Sequence, residues 1–299
     1  MRYDVVILTD SKHAYPSHID AYTKNVLTED ALVANALGQL GLSVIRKAWS
    51  DPHFDWSSTK AVLFRTTWDY FNEFSKFSKW LNTISKVTTL INSEALIRWN
   101  IDKHYLLDLQ NNGVHIAETL FIEPGCPKSL VELHTETKWT QTVLKPCISG
   151  GARHTYRLHK DDLKSHDAVF KSLIAKEAMM LQPFQNRIVS EGEVSMMVFN
   201  GQFTHAILKK AKAGDFRVQD DFGGTVHDYN PTQAEIEFAE NTVKACNELP
   251  LYARVDIFND NDGNIALAEL ELIEPELWFR NHPKAAQILA KAIKEKLNY

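Results

Sequence analysis

Residues 252–273 read YARVDIF-NDNDG-NIALAELELI, two stretches of alternating apolar and polar positions joined by a run of Asn, Asp and Gly. Strand side chains alternate, so Arg254 and Asp256 share one face, Glu269 and Glu271 share one face, and Val255/Ile257 and Leu270/Leu272 take the others. Such a segment folds as a hairpin in a sheet with one dry face and one charged face. A face bearing one Asp and two Glu repels itself unless hard cations sit among the carboxylates, as Mg²⁺ does beside substrate phosphates. Arg254 would then reach a phosphate or another negative substrate group. Two other readings stay open. The face is a solvent-exposed strip of scattered charge, or the turn is a calcium loop with Asp260, Asp262 and Glu269 around Gly263. The calcium loop suffers from Phe258 in its first position and from strand-like flanks. The pattern leaves the hairpin's register undetermined.

Upstream the texture is different. YDVVIL (3–8), SVIRKAW (43–49), AVLFRTTW (61–68) and TTLIN (88–92) read as strands. Residues 28–42, opening at Thr28 and closing at Gly41, and residues 71–85 read as helices. This rhythm predicts a small parallel α/β sheet over residues 1–95. The rest, 96–299, begins with a helix that holds Lys103 and runs to Gly113. It then gives strand, glycine loop and strand over 140–158, and a strand over 178–184 that stops at Pro183. A hairpin turns at Asn200-Gly201, and helices flank the acidic hairpin. A lid-like unit is expected over about 115–185 and a C-terminal unit over about 186–299.

Composition narrows the function classes. The net charge of -5 argues against a nucleic-acid-binding surface. No segment reaches the ~18 consecutive apolar residues of a membrane span, and the N-terminus reads as a strand rather than a signal peptide. Cys126, Cys147 and Cys246 are far apart with no CxxC pair, which suggests a reducing, cytoplasmic setting. The 12 His form no metal-binding spacing.

Several other pieces carry chemistry weakly when taken singly. Lys145 precedes a loop with Gly150 and Gly151, a place where backbone N–H groups approach a phosphate, although a structural turn fits as well. Gln182, Pro183 and Phe184 end a strand with Glu191 and Glu193 just beyond. Lys209, Lys210, Lys212 and Arg217 precede Gly223-Gly224. After the third strand, Arg65 suits a substrate carboxylate and Asp69 an ammonium. A strand-end Arg paired with a nearby acid, beside a packed Trp-Asp-Tyr corner, is the competing reading.

In this order the pieces resemble the ATP-grasp superfamily: a helix with DK, a strand with KP and a glycine loop, a strand with QPF, a basic loop with GDFR and FGG, then RVD and ELELIEP. The last two look most like its glutathione-synthetase-like branch. The whole chain, with RTTWDYF and INSEALIRWNIDK, is similar to the ATP-grasp group containing the D-cycloserine-forming cyclo-ligase. The resemblance implies a small N-terminal α/β domain followed by an α+β ATP-grasp fold whose two subdomains clasp ATP. It implies that Lys103 and Lys145 hold ATP phosphates, with Gly150 and Gly151 beside them. Gln182, Pro183 and Phe184 would flank adenine, and Glu191 or Glu193 would bind ribose. Asp256, Glu269 and Glu271 would hold Mg²⁺ (two ions, or Mn²⁺ in its place), the third being a Glu where Asn is common. Arg217, Arg254 and Lys209 would face the γ-phosphate and an acyl phosphate. The implied activity is ligation of a carboxylate to an amine with release of ADP and phosphate. The substrates would be small molecules of the amino-acid class, and a homodimer is expected from the superfamily. A small-molecule kinase and a non-catalytic nucleotide-binding protein remain the alternatives.

Overall fold

Val5, Val6, Ile7 and Leu8 have almost no exposed surface, as a strand covered by helices on both faces requires. In the computed structural model, which describes residues 2–212, 214–215 and 223–298, they form β1 (Tyr3–Thr9) at the centre of a parallel sheet. Its neighbours are β2 (Val44–Ala48) and β3 (Thr59–Thr66), and β4 (Thr89–Ile91) pairs with β3, giving the order β2-β1-β3-β4. A short helix α1 (Ser11–Ala14) follows β1. The next helix, α2, runs over Ala21–Gln39 rather than starting at Thr28. Asp20 caps it by accepting from Thr23 N–H at 2.7 Å, and Thr28 lies mid-helix with its hydroxyl donating to the Lys24 carbonyl. Helix α3 (Phe74–Ile84) covers the opposite face with Phe77 and Leu81.

The expected single helix with Lys103 inside it is two helices, α4 (Glu94–Ile101) and α5 (Tyr105–Asn111). Asp102 adopts an extended backbone and Lys103 sits in the break, its N–H donating to the Cys147 carbonyl at 3.0 Å. A four-stranded antiparallel sheet follows: β5 (Leu120–Ile122), β6 (Gln141–Pro146), β7 (Tyr156–His159) and β8 (Met179–Pro183), ordered β5-β8-β6-β7. Helices α6 (Leu130–Thr137) and α7 (Leu163–Ile174) close its own small core. Both β5 and α6 lie in a stretch whose pattern gave no sequence expectation.

After α8 (Asn186–Glu191) comes the five-stranded sheet β11-β10-β9-β12-β13, made of β9 (Glu193–Phe199), β10 (Gln202–Lys210), β11 (Thr225–Tyr229), β12 (Tyr252–Asn259) and β13 (Ile265–Glu271). Asn200 and Gly201 both have positive φ, the requirement of a two-residue hairpin turn. Helix α9 (Gln233–Lys244) packs on this sheet. The last helix, α10 (Pro283–Lys296), returns to the N-terminal sheet, where Leu289 and Ile293 share a core with Val5, Leu37 and Leu63. The C-terminal segment therefore ties the two ends of the chain into one core.

The turn at Asp260 is a hairpin connection, not a calcium loop. Asp260 accepts from Asn264 N–H (2.8 Å), Asp262 N–H (3.0 Å) and His115 (2.8 Å). No helix of the described residues is long and apolar enough to cross a membrane.

Candidate functional site

The acidic strand β13 is an edge strand, and its outward backbone groups would be free. Residues from the INSEALIRWNIDKHY stretch take them. Asn100 donates to the Leu270 carbonyl (2.8 Å) and accepts from Leu272 N–H (2.9 Å). The Tyr105 hydroxyl accepts from Leu270 N–H (2.8 Å), and Asn92 donates to the Leu272 carbonyl (2.9 Å). These contacts hold the strand rigid from outside the sheet, which sequence reading missed.

The hairpin's register pairs Arg254 with Glu271 and Asp256 with Glu269, and Asp256 also faces Ser195 on β9. All four charged side chains therefore stand on one face. Asp256 is enclosed: Ser195 Oγ donates to it at 2.6 Å, Arg254 reaches it through Nε (2.9 Å) and Nη2 (2.8 Å), and Lys209 Nζ lies at 3.1 Å. Arg254 also bridges to Glu271, and Lys209 to Glu193 at 2.6 Å. These cations hold Asp256 well below the usual carboxylate range although burial pushes the other way. Glu269 and Glu271 keep 33% and 23% of their side-chain surface, so they present oxygen atoms to the space in front while Asp256 stands behind them. Burial, then the neighbouring Glu269 and Asp256 carboxylates, push Glu271 up to about 8 against the pull of Arg254. Glu274 is pushed up to about 7 by burial.

Lys103, placed by the helix break, donates to Glu269 (2.9 Å) and to the Ser149 carbonyl (2.8 Å). Lys145 differs from it. Among the described residues no hydrogen bond or ion pair takes its ammonium, and burial lowers its pKa. A partly buried cation without a carboxylate partner, beside a glycine loop, is arranged for an anion that comes from outside. Gly150 in that loop rests on Phe71 so closely that a Cβ would lie 2.6 Å from the ring, and Gly151 takes a φ of +54°.

All of this lines one cavity of about 720 Å³. At one end Val143, Phe184, Ile188, Phe258 and Leu267 form an apolar slot, with Gln182 and Pro183 at its rim. Arg157 stacks on Phe184 at 3.8 Å. At the waist stand Lys103, Lys145, Glu193, Lys209, Arg254, Asp256, Glu269 and Glu271. The far end is aromatic and acidic, with Tyr22, Trp68, Tyr70, Asp10 and Asp69. The slot suits a flat heterocycle and the lysines suit its phosphates. The carboxylate oxygens of Glu269 and Glu271 are a hard donor set that fits Mg²⁺.

Three expectations need revision. Arg65 does not line the cavity. It is 3% exposed, donates to the Pro275 carbonyl at 2.9 Å, and lies 3.7 Å from Glu29 and 3.8 Å from Asp30. A buried guanidinium among those groups supports the chain from within rather than clamping a substrate carboxylate. Glu191 points to the outside, paired with Arg187 (2.8 Å) and Asn259 (3.0 Å), so of the two candidate acids only Glu193 reaches the cavity. Arg217 lies outside the described residues. Asp69 does line the cavity, its carboxylate accepting from the Trp49 indole and raised in pKa by burial. Trp278, which sequence reading passed over, lies beneath the cations of both Lys209 (5.9 Å) and Arg254 (5.3 Å).

Comparisons with known proteins agree with this geometry. Residues 5–92 match the model of the N-terminal domain of D-cycloserine synthetase, and residues 154–272 that of the RimK-like ATP-grasp domain. The chain is 29% identical over 271 residues to the cycloserine biosynthesis protein DcsG of Streptomyces lavendulae, covering 83% of this chain and 87% of that one. The crystal structure of D-cycloserine synthetase DcsG superimposes with a TM-score of 0.84 at 25% identity over 98% of this chain and 99% of that chain. The D-alanine–D-alanine ligase of Bacillus anthracis, solved with ATP, shares the fold at a TM-score of 0.66 and 13% identity, covering 99% and 97%. The chain therefore carries a RimK-like ATP-grasp domain over residues 154–272, behind an N-terminal stretch that matches the corresponding domain of D-cycloserine synthetase, and over most of its length it is similar to an ATP-grasp ligase.

Proposed function

We propose that this ligase joins the carboxylate of a small, amino-acid-like molecule to an amine through an acyl phosphate, releasing ADP and phosphate. The observation that carries the reading is the continuity of the cavity. One wall runs from an apolar slot through a cation-and-carboxylate waist to an aromatic, acidic end. A carboxylate is a poor electrophile because its leaving group would be oxide; phosphorylation provides phosphate instead. ATP-grasp enzymes use ATP with Mg²⁺. Glu269 and Glu271, with Asp256 behind them, would hold the metal, which when bound neutralises phosphate charge. Lys145 and Lys103 would bind phosphate oxygens, and Val143, Phe184 and Ile188 would sandwich the base beside Gln182, with Glu193 at the ribose. Arg254 and Lys209, held over Trp278, are placed to stabilise the negative charge that develops as the acyl group is activated. The Gly150 loop, which rests on Phe71, would shield the intermediate from water that hydrolyses it.

The finer reading takes two Mg²⁺ ions, replaceable by Mn²⁺, and a cytoplasmic homodimer. Three unpaired thiols support that compartment.

The test follows ADP and inorganic phosphate together while the protein is offered Mg-ATP and pools of amino acids and their derivatives. Both products rising in step in certain pools support the ligase. ADP without free phosphate would make the protein a kinase and overturn the proposal.

A further inference from the structure

His13 follows β1 at the carboxyl end of the parallel sheet, where such sheets bind ligands. Its side chain is 3% exposed, yet it stands in the cavity wall. Nδ1 lies 2.9 Å from both oxygens of Asp10, and the His13 backbone N–H donates to the same carboxylate at 2.7 Å. A carboxylate can only accept, so Nδ1 carries a proton, and it is in the neutral imidazole that Nε2 presents a lone pair. That Nε2 is buried and has no hydrogen-bond partner. Trp68 packs edge-on against the imidazole at 5.6 Å, and its indole donates to the Glu274 carbonyl at 3.0 Å, so the ring is fixed from two sides. Buried acceptors are normally satisfied. One left without a partner in a residue that lines a cavity, oriented by an Asp, is the arrangement in which a base takes a proton from a bound substrate.

The neighbourhood says what kind of group brings it. Asp10 and Asp69 add acceptors at this end, beside Lys12, whereas Lys103, Lys145, Lys209 and Arg254, the cations that suit phosphate and acyl phosphate, are gathered at the waist. A nitrogen bearing N–H bonds fits the acceptor-rich end. Resting on the ligase reading above, we propose that the pocket formed by Asp10, His13, Trp68 and Asp69 takes the amine substrate, and that His13 Nε2 is the general base for its attack. The lone pair of the neutral amine forms the C–N bond to the acyl-phosphate carbon. The nitrogen's surplus proton passes to Nε2, and the C–O bond breaks with its electron pair leaving on phosphate. Asp10 is a positioning residue that fixes the tautomer and stabilises the imidazolium.

The experiment separates the two halves of the reaction in the full-length protein. Acyl phosphate is trapped with hydroxylamine as a hydroxamate, and coupling is followed as amide formed in a single turnover. In His13→Ala, hydroxamate formation and the KM for ATP should stay within twofold of wild type. Coupling should fall about 10²–10³-fold, as the loss of a general base does, and added imidazole should restore part of it. Asp10→Asn is close in shape and keeps an acceptor for the His13 N–H, but donates to Nδ1 and so puts the proton on Nε2. It should lose coupling to a similar degree with an unchanged far-ultraviolet circular dichroism spectrum. Equal loss of both halves, or coupling that imidazole does not restore, overturns the role of His13 while leaving the ligase reading intact. A wild-type protein that yields no hydroxamate with any carboxylate overturns the ligase reading and this inference with it.

Discussion

Replacing Asp256 by Asn removes one negative charge from the centre of the enclosed network. The carboxylate is approached by Ser195 (2.6 Å), by Arg254 through two nitrogens (2.9 and 2.8 Å) and by Lys209 (3.1 Å), and both cations are nearly buried. Removing one partner of a buried ion pair costs roughly 3–5 kcal/mol because the other charge stays behind, out of water. Here Lys209 keeps Glu193 and Arg254 keeps Glu271, and Asn retains one acceptor oxygen, so the low end, about 3 kcal/mol, is expected. At roughly 2 °C per kcal/mol for a chain of this size, the apparent melting temperature should drop by about 6 °C. Ser195→Ala removes only a hydrogen bond and should cost about 1 kcal/mol, near 2 °C. Thermal denaturation followed by circular dichroism measures both. A melting temperature for Asp256→Asn within about 1 °C of wild type would show that the two cations are satisfied elsewhere and would refute the account of Asp256 as the network's anchor.

Three other perturbations follow from the same geometry. Gly150→Ala places a methyl 2.6 Å from the Phe71 ring, and overpacking of this kind costs about 1–3 kcal/mol. The KM for ATP should rise about tenfold in steady-state assays, and Phe71→Ala in the same chain should bring it back. Lys145→Met removes an ammonium that has no carboxylate partner among the described residues. The melting temperature should hold or rise, while calorimetric affinity for ATP drops by about 1.5–3 kcal/mol, the worth of a charged hydrogen bond. His205, whose Nε2 donates to the Leu277 carbonyl at 2.8 Å, is lowered by burial to about 4. Between that value and the ordinary 6.5 the unfolded chain binds the proton and the folded one does not. Stability is therefore fully present above 6.5 and falls as the pH drops towards 4, by about 3 kcal/mol in all. Denaturant titrations across that range should show the slope in wild type and a weaker one in His205→Gln.

The parts of the fold legible in the sequence were those written by local pattern. Four apolar runs with turn residues between them gave the parallel sheet, and Asn200-Gly201 gave the hairpin of β9 and β10 in the five-stranded sheet. The alternation in β12 and β13 put Arg254, Asp256, Glu269 and Glu271 together, but their pairing depended on the turn and on anchors far away in sequence. Asn100 and Tyr105 lie 170 and 165 residues from Leu270, and nothing local marks them as edge supports. Arg65 misled for the same reason. A strand-end Arg reads alike whether it meets a substrate or the buried Glu29, Asp30 and the Pro275 carbonyl, 210 residues on. The break at Asp102 was hidden because both flanks are helical. Nothing local marks Asp10 and His13 as a pair, and only the fold shows the buried, unpartnered Nε2.

The central claim is that a carboxylate is activated by phosphate and then given to an amine. The most direct measurement uses carboxylates of the amino-acid class labelled with ¹⁸O in both carboxyl oxygens, turned over with Mg-ATP and an amine, with mass analysis of the phosphate released. One labelled oxygen in each inorganic phosphate, with an equal yield of amide, is the result the account predicts. Phosphate released without label, or ADP formed while phosphate stays bound to a hydroxyl-bearing product, would contradict it.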